Sequence, residues 1–213
     1  MSRRLPVYLL IDTSGSMNGE SISSVNVGLQ AMLQALRQDP HALDTVYLSL
    51  ITFDAEIKEI FPLTALEDVQ IPDITCPRSG PTHMGAALEM LVERVEKDVK
   101  HANKKHKGDW RALMFLMTDG APSDVQLYNH MIPKVKSVNF SKIIACAAGP
   151  KSKEEYLKKL TETVVSLDTT DSSSFSAFFK WVSGSVTAGS ASAGLTSGKD
   201  ALPPPPDELK IVV

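Results

Sequence analysis

Three runs of the sequence, residues 5–11, 112–117 and 143–148, are apolar without a polar–apolar alternation. A strand with one wet face alternates. A run that does not alternate is buried on both faces, as central strands of a parallel sheet are. Parallel strands need crossovers, and the intervening sequence supplies them. Ile22, Val25, Leu29, Met32, Leu33 and Leu36 form a one-sided stripe of helical period, ended by Asp39-Pro40. Ala87, Leu88, Leu91, Val92, Val95 and Val99 form a second stripe. Tyr128, Ile132 and Val135 mark a third helix, capped by Ser123 or Asp124, which Pro133 is expected to kink or shorten. Ser152-Lys153-Glu154-Glu155 reads as a capping box opening a short helix that runs through Leu160. After a short strand at 164–167, a last helix starts near Ser173 or Ser174 and buries Phe175, Phe178, Phe179 and Val182.

Residues 46–53 read as a further strand. Residues 56–61 alternate, and only Asp54-Ala55 separates the two runs. They are therefore expected to pair as an antiparallel hairpin at the sheet edge, closed by Pro62. The order of elements predicts an α/β fold: a doubly wound, mostly parallel sheet with one antiparallel edge strand and helices on both faces. The chain of 213 residues is long enough for one well-buried core. We expect a domain over 1–186 and an appended segment over 187–213. The composition turns to Ser, Gly, Ala and Thr near Ser183, and Pro203 to Pro206 follow. Leu209 to Val213 are apolar enough to dock, either on a partner or back on their own domain.

Several function classes drop out. A net charge of −3 and an aromatic share of 6% give no footprint for nucleic acid. No run is long enough to span a bilayer, and the opening residues are too short for a signal peptide. The two cysteines, Cys76 in a loop and Cys146 in an apolar strand, are not expected to pair, which suits the cytoplasm. Asn139-Phe140-Ser141 is then a chance match to a glycosylation acceptor. Residues 100–107 are basic and read as a solvated helix end, with a docking patch for an acidic partner as the alternative. His101 and His106 flank that segment without cysteines, so zinc is not expected there. Trp110 and Trp181 read as packing residues.

Oxygen-bearing side chains gather at the expected strand ends. Asp12, Ser14 and Ser16 follow the first strand, Thr82 precedes the second helix after a long connection, and Asp119 follows the strand at 112–117. Ligands of open α/β sheets bind at the carboxyl ends of strands. Each residue alone has an ordinary explanation as a helix cap or turn former. Converging on one edge, they make a set of hard oxygens suited to Mg²⁺, Mn²⁺ or Ca²⁺ rather than zinc. Two carboxylates about 5 Å apart repel by roughly 3 kcal/mol at an effective dielectric near 20, and a divalent cation reverses that sign.

Asp12-x-Ser14-x-Ser16, Gly80-Pro81-Thr82 with Ala87-Leu88 downstream, and Thr118-Asp119-Gly120 resemble the metal-ion-dependent adhesion site (MIDAS) of von Willebrand factor A (VWA) domains. Met17, Gly19 and Pro122 fit the same pattern, and the resemblance covers roughly residues 5–186. It implies a Rossmann-like sheet with Mg²⁺ or Mn²⁺ at its top. Ser14, Ser16 and Thr82 would be inner ligands, and Asp12 and Asp119 would bind directly or through water. A partner's Asp or Glu would complete the shell. Within the family, the Ile-Asp-Thr-Ser-Gly-Ser-Met opening is similar to the bacterial TerY proteins of tellurite-resistance and stress-response clusters. That implies kinase- or phosphatase-like partners. Some TerY-like proteins carry a cysteine-rich zinc module, which this sequence lacks.

The resemblance implies a binding module and no enzyme. The rival is a Mg²⁺-dependent aspartate-nucleophile phosphohydrolase with Asp12 as nucleophile. Such enzymes want a general acid two residues on, where Ser14 stands, and a hydroxyl donates protons poorly at neutral pH. Gly80-Pro81-Thr82-His83-Met84-Gly85 has the glycine spacing of a phosphate loop, but Ala86-Ala87 replace the lysine and hydroxyl such a loop needs. His83 reads as a surface residue beside Thr82.

Overall fold

A computed structural model describes residues 3–103, 107–149, 152–192, 203–206 and 209–212. His106, the whole segment 193–202, and Val213 lie outside the described residues. The elements are β1 (Leu5–Asp12), α1 (Glu20–Arg37), α2 (Pro40–Thr45), β2 (Val46–Phe53), β3 (Ile57–Ala65), α3 (Met84–Asp98), β4 (Leu113–Thr118), α4 (Val125–Ser137), β5 (Lys142–Ala148), α5 (Glu154–Leu160), β6 (Thr163–Leu167), α6 (Ser172–Ser192) and β7 (Lys210–Val212).

The seven strands lie in the order β3-β2-β1-β4-β5-β6-β7. β1 pairs in parallel with β2 on one side and with β4 on the other. β4–β5 and β5–β6 are also parallel. The expected mostly parallel sheet is thus observed, with the expected antiparallel β3 at one edge. All eight residues of β1 are buried, as its unbroken apolar run predicts. Leu5, Val7, Leu9 and Ile11 face a core shared with α1 and α6. Tyr8 and Leu10 face a second core shared with α3, α4 and α5.

Three local expectations, at Pro62, Pro133 and Ser152, are corrected; Asp39-Pro40 gains a second role, and the open choice for the C-terminal segment is decided. β3 does not stop at Pro62 but continues to Ala65. An edge strand has no ladder partner on its outer side, so a proline N is tolerated there. Asp39-Pro40 ends α1 but also starts α2: the Asp39 side chain accepts from the N–H of Ala42 at 2.8 Å. Pro133 does not shorten α4, which runs on to Ser137. The capping box does not form, because α5 starts one residue late and the Ser152 hydroxyl donates to the Gly149 carbonyl at 2.8 Å. Finally, the C-terminal segment folds back on its own domain. β7 adds antiparallel to β6 as a second antiparallel edge, and α6 runs past residue 186 to Ser192.

The long connection between β3 and α3 is ordered by its side chains. Leu66, Val69, Ile71 and Ile74 are buried against the α1 core. The Asn26 amide donates to the Ile74 carbonyl and accepts from the Ile74 N–H, both at 2.9 Å. Gln30 donates to the Ile71 carbonyl, and Arg37 to the carbonyls of Leu66, Glu67 and Val69. Helix α1 thus satisfies backbone groups that have no sheet or helix partner.

At the other pole of the sheet, Arg4 pairs with Asp109 and the Arg3 guanidinium lies 3.7 Å from the centre of the Trp110 ring. These contacts close the amino-terminal ends of β1 and β4.

Candidate metal centre

Strand order reverses at β1: α1 leads to β2 on one side, and β4 lies on the other. Asp12 ends β1, and Asp119 follows the last residue of β4. Both therefore stand at the switch point, where a parallel sheet leaves a crevice at its carboxyl edge.

Asp12 is fully buried. Its Oδ1 accepts from the Ser14 N–H at 2.7 Å, and its Oδ2 accepts from the Thr118 hydroxyl at 2.5 Å. The first bond bends the chain so that Ser14 and Ser16 face the crevice, and the second locks the end of β1 to the end of β4. Burial is the main force raising the Asp12 pKa, to about 6. The hydrogen bonds from Thr118 and Ser14 oppose it, and the nearby charge of Asp119 adds to it.

Above Asp12 lies a chain of oxygens. Ser14 Oγ is 3.2 Å from Ser16 Oγ, and Ser16 Oγ donates to Asp119 Oδ1 at 2.7 Å. Residues 103 positions apart thus meet directly. Gly15, between the two serines, starts a single 3₁₀ turn, Gly15–Met17. A Cβ there would stand 2.4 Å from Ser79 Cα, so the loop at 76–79 lies flat on the serine loop only because residue 15 has no side chain. Asn18 fastens the same loop by donating to the carbonyls of Cys76 and Pro77.

Thr82 is buried and enters from the second loop. Its N–H donates to Ser123 Oγ at 2.9 Å, and its carbonyl accepts from the Ser123 N–H at 2.8 Å. Its hydroxyl borders the Asp119–Gly120 turn: a Cβ on Gly120 would lie 3.6 Å from Thr82 Oγ1. Ser123 and Asp124 cap differently from the expectation. Asp124 is the first-turn boundary of α4 but makes no side-chain cap there. Its two carboxylate oxygens accept instead from the N–H groups of Gly85 and Ala86, at 2.9 Å each, and so cap α3.

Among the described residues, no three His, Cys, Asp or Glu side chains cluster as a metal site. A cation bound here must take hydroxyl oxygens as well as carboxylates, which is the donor set Asp12, Ser14, Ser16, Thr82 and Asp119 present.

The profile of the von Willebrand factor type A domain matches residues 7–180. The chain belongs to that family. The family is commonly used for metal-dependent protein interaction and adhesion. No curated protein sequence matches this VWA chain significantly. Among solved structures it is similar to proximal thread matrix protein 1 from the mussel byssus, with 20% identity and a TM-score of 0.69 over 86% of this chain and 48% of that one. It is similar to the pilus adhesin SpaC of Lactobacillus rhamnosus GG in its open conformation, with 14% identity and a TM-score of 0.64 over 88% and 30%. It is also similar to a von Willebrand factor type A protein from Catenulispora acidiphila, with 14% identity and a TM-score of 0.63 over 88% and 44%. At such identities the likeness concerns the fold alone. The VWA chain spans about half the length of the mussel protein, and less of the other two. A further structure of the mussel protein is described as having a zinc-occupied MIDAS motif.

Sequence reasoning missed two residues of this VWA centre. Thr118 was read only as part of a motif, yet its hydroxyl holds Asp12. Asp54 was read as a hairpin residue. It is buried, its Oδ2 accepts from the Thr13 hydroxyl and its Oδ1 from the Glu56 N–H, both at 2.9 Å. Its carbonyl accepts from the His83 N–H, so Asp54 ties the first loop to the second. A signal was present: Asp54 directly follows a parallel strand, as Asp119 does. His83 is half-buried, with Nδ1 3.2 Å from the Ala55 carbonyl. Cys76 lies close enough to Asp12, Asp54 and Asp119 for their charges to add to burial in raising its thiol pKa to about 12.

Proposed function

We propose that this VWA domain is a non-enzymatic, cytoplasmic protein-binding module that grips a partner's carboxylate through a divalent cation. The observation that carries the reading is the hydrogen-bonded chain Ser14 Oγ–Ser16 Oγ–Asp119 Oδ1 above the buried Asp12. Ser14, Ser16 and Thr82 would hold the cation directly, with Asp12 and Asp119 direct or through water. Where the two carboxylates act through water, the direct ligands are three neutral hydroxyls and the cation stays electron-poor toward an incoming Asp or Glu. The oxygen set favours Mg²⁺, Mn²⁺ or Ca²⁺ by hardness. The mussel protein extends the candidates to zinc, which also takes carboxylate oxygen and exceeds Mn²⁺ in intrinsic affinity. The narrower assignment, to a TerY-like stress complex with kinase- or phosphatase-like partners, rests on the opening motif alone.

Burial supports binding over phosphoryl transfer. A nucleophilic Asp12 would have to reach the substrate itself, whereas the fully buried side chain can still serve the cation through water. Calorimetry with Mg²⁺, Mn²⁺ and Zn²⁺ should give binding by the native chain and none by Ser16→Ala or Thr82→Ala. Partner capture should fall away in chelator. Equal capture with and without chelator sinks the metal bridge. Turnover of an activated phosphate ester that is lost in Asp12→Asn would instead establish the phosphohydrolase.

A further inference from the structure

The C-terminal segment makes three kinds of contact with its own domain. Trp181 on α6 is buried to 4% exposure and donates its indole N–H to the Pro203 carbonyl at 2.9 Å. Next to it, Gly184 presents no side chain, and a Cβ there would lie 3.9 Å from the Pro203 ring. Leu209 is buried to 4% exposure in the α1–α6 core. Lys210, Ile211 and Val212 then pair with Ser166, Val165 and Val164 of β6, and Lys210 forms an exposed ion pair with Asp168 at 2.7 Å.

These contacts share a property: none depends on the covalent connection. The ladder is three residues long, the ion pair is exposed, and the one deep anchor is Leu209. The acceptor is a sheet edge, which without β7 would leave the outer N–H and C=O groups of β6 unpaired. Residues 193–202 join the end of α6 to Pro203, so the segment is held in place at high effective concentration rather than by many contacts.

We propose that the outer edge of β6, together with the Trp181–Gly184 groove of α6, is an acceptor site for an extended Pro-rich segment. The site is filled here in cis by residues 203–206 and 209–212, and it takes the same segment from a second copy of this chain. The second copy is the occupant because it carries the one sequence known to fit: a proline for Trp181, a leucine for the core and a strand for β6. Exchange of an identical element between protomers is a low-cost route to a dimer.

The geometry supplies the test. Trp181 and Ser192 are eleven helical residues apart, about 16 Å along α6. The chain must come back over that distance to reach Pro203. Deleting residues 194–202 leaves two Cα–Cα steps, about 7 Å when fully extended, short also of the roughly 12 Å back to Gly184, which lies beside the Pro203 ring, so the segment cannot close in cis. The deletion variant should move from one chain mass to two in analytical ultracentrifugation, with Trp181 still buried by its fluorescence. Adding Leu209→Asp should return it to one mass with Trp181 exposed. A deletion variant that stays monomeric overturns the proposal, whether the segment is released or α6 frays to let it close. A dimer that survives Leu209→Asp overturns it as well. If the deletion variant does not fold, a peptide of residues 203–213 is titrated into the full chain carrying Leu209→Asp. A saturable shift of the Trp181 indole N–H resonance supports the site, and no shift at millimolar peptide overturns it.

Discussion

Asp124 caps the helix that precedes it in the chain: its carboxylate accepts the N–H groups of Gly85 and Ala86 at the start of α3. Thr82 and Ser123 exchange backbone and hydroxyl bonds alongside. The second and third loops of the site are therefore one hydrogen-bonded unit. Asp124→Ala should leave two α3 N–H groups without their acceptor and cost about 1–2 kcal/mol in urea unfolding. Cation affinity should fall too, because the Thr82 loop loses its brace. Unchanged affinity despite lost stability would uncouple the cap from the site.

That arrangement marks where sequence reading stops. The strand ends carrying Asp12 and Asp119 were legible because unbroken apolar runs announce buried parallel strands, and the position after such a strand is defined by the run itself. The cap was not legible. A local pattern assigns Asp124 to the helix it touches in sequence, but the amino terminus of α3 lies as close in space. Asp54 was missed for the same reason, since its bond to Thr13 crosses 41 positions. β7 was readable as apolar, but nothing local chooses between β6 and a partner. Pro62 misled because proline ends a central strand yet is tolerated on an edge.

Asn26 should control the order of the long loop. It is the one described side chain that both donates to and accepts from the loop backbone, at Ile74. Asn26→Ala leaves both Ile74 groups unpaired in a partly buried setting, with an expected cost of about 1–3 kcal/mol. Amide exchange should rise over residues 66–82 and stay unchanged in β4 and β5. Uniform loosening across the sheet would contradict a local role.

Gly15→Ala places a Cβ 2.4 Å from Ser79 Cα, a backbone atom that cannot rotate away. The loop at 76–79 must lift or the serine loop must sink. We expect a loss of about 1–3 kcal/mol by overpacking and a weaker site. Cys76 lies on the displaced loop, so its thiol should react faster with a maleimide in the variant. An unchanged rate would mean that the strain is absorbed at Ser14–Ser16 instead.

Asp12 gives the domain a pH dependence of definite sign. Its pKa rises from 3.8 to about 6 on folding, mainly through burial. The folded chain therefore keeps the proton to higher pH than the unfolded chain. The stability this contributes is complete below about pH 4 and is lost as pH rises through about 6. Two pKa steps correspond to about 3 kcal/mol. Other carboxylates titrate in the same range, so the quantity to measure is the native chain minus Asp12→Asn. Asparagine can keep both contacts, accepting from the Ser14 N–H and donating to the Thr118 hydroxyl, without burying a charge. In chelator, the native chain should lose about 3 kcal/mol relative to Asp12→Asn between pH 4 and pH 7.5. The variant should then be the more stable of the two at neutral pH. Added Mg²⁺ should stabilise only the native chain there, since it restores the balance of a buried charge that the variant lacks. A difference that grows with pH in chelator would show that Asp12 is held as a carboxylate by its hydrogen bonds, against the burial that dominates its surroundings.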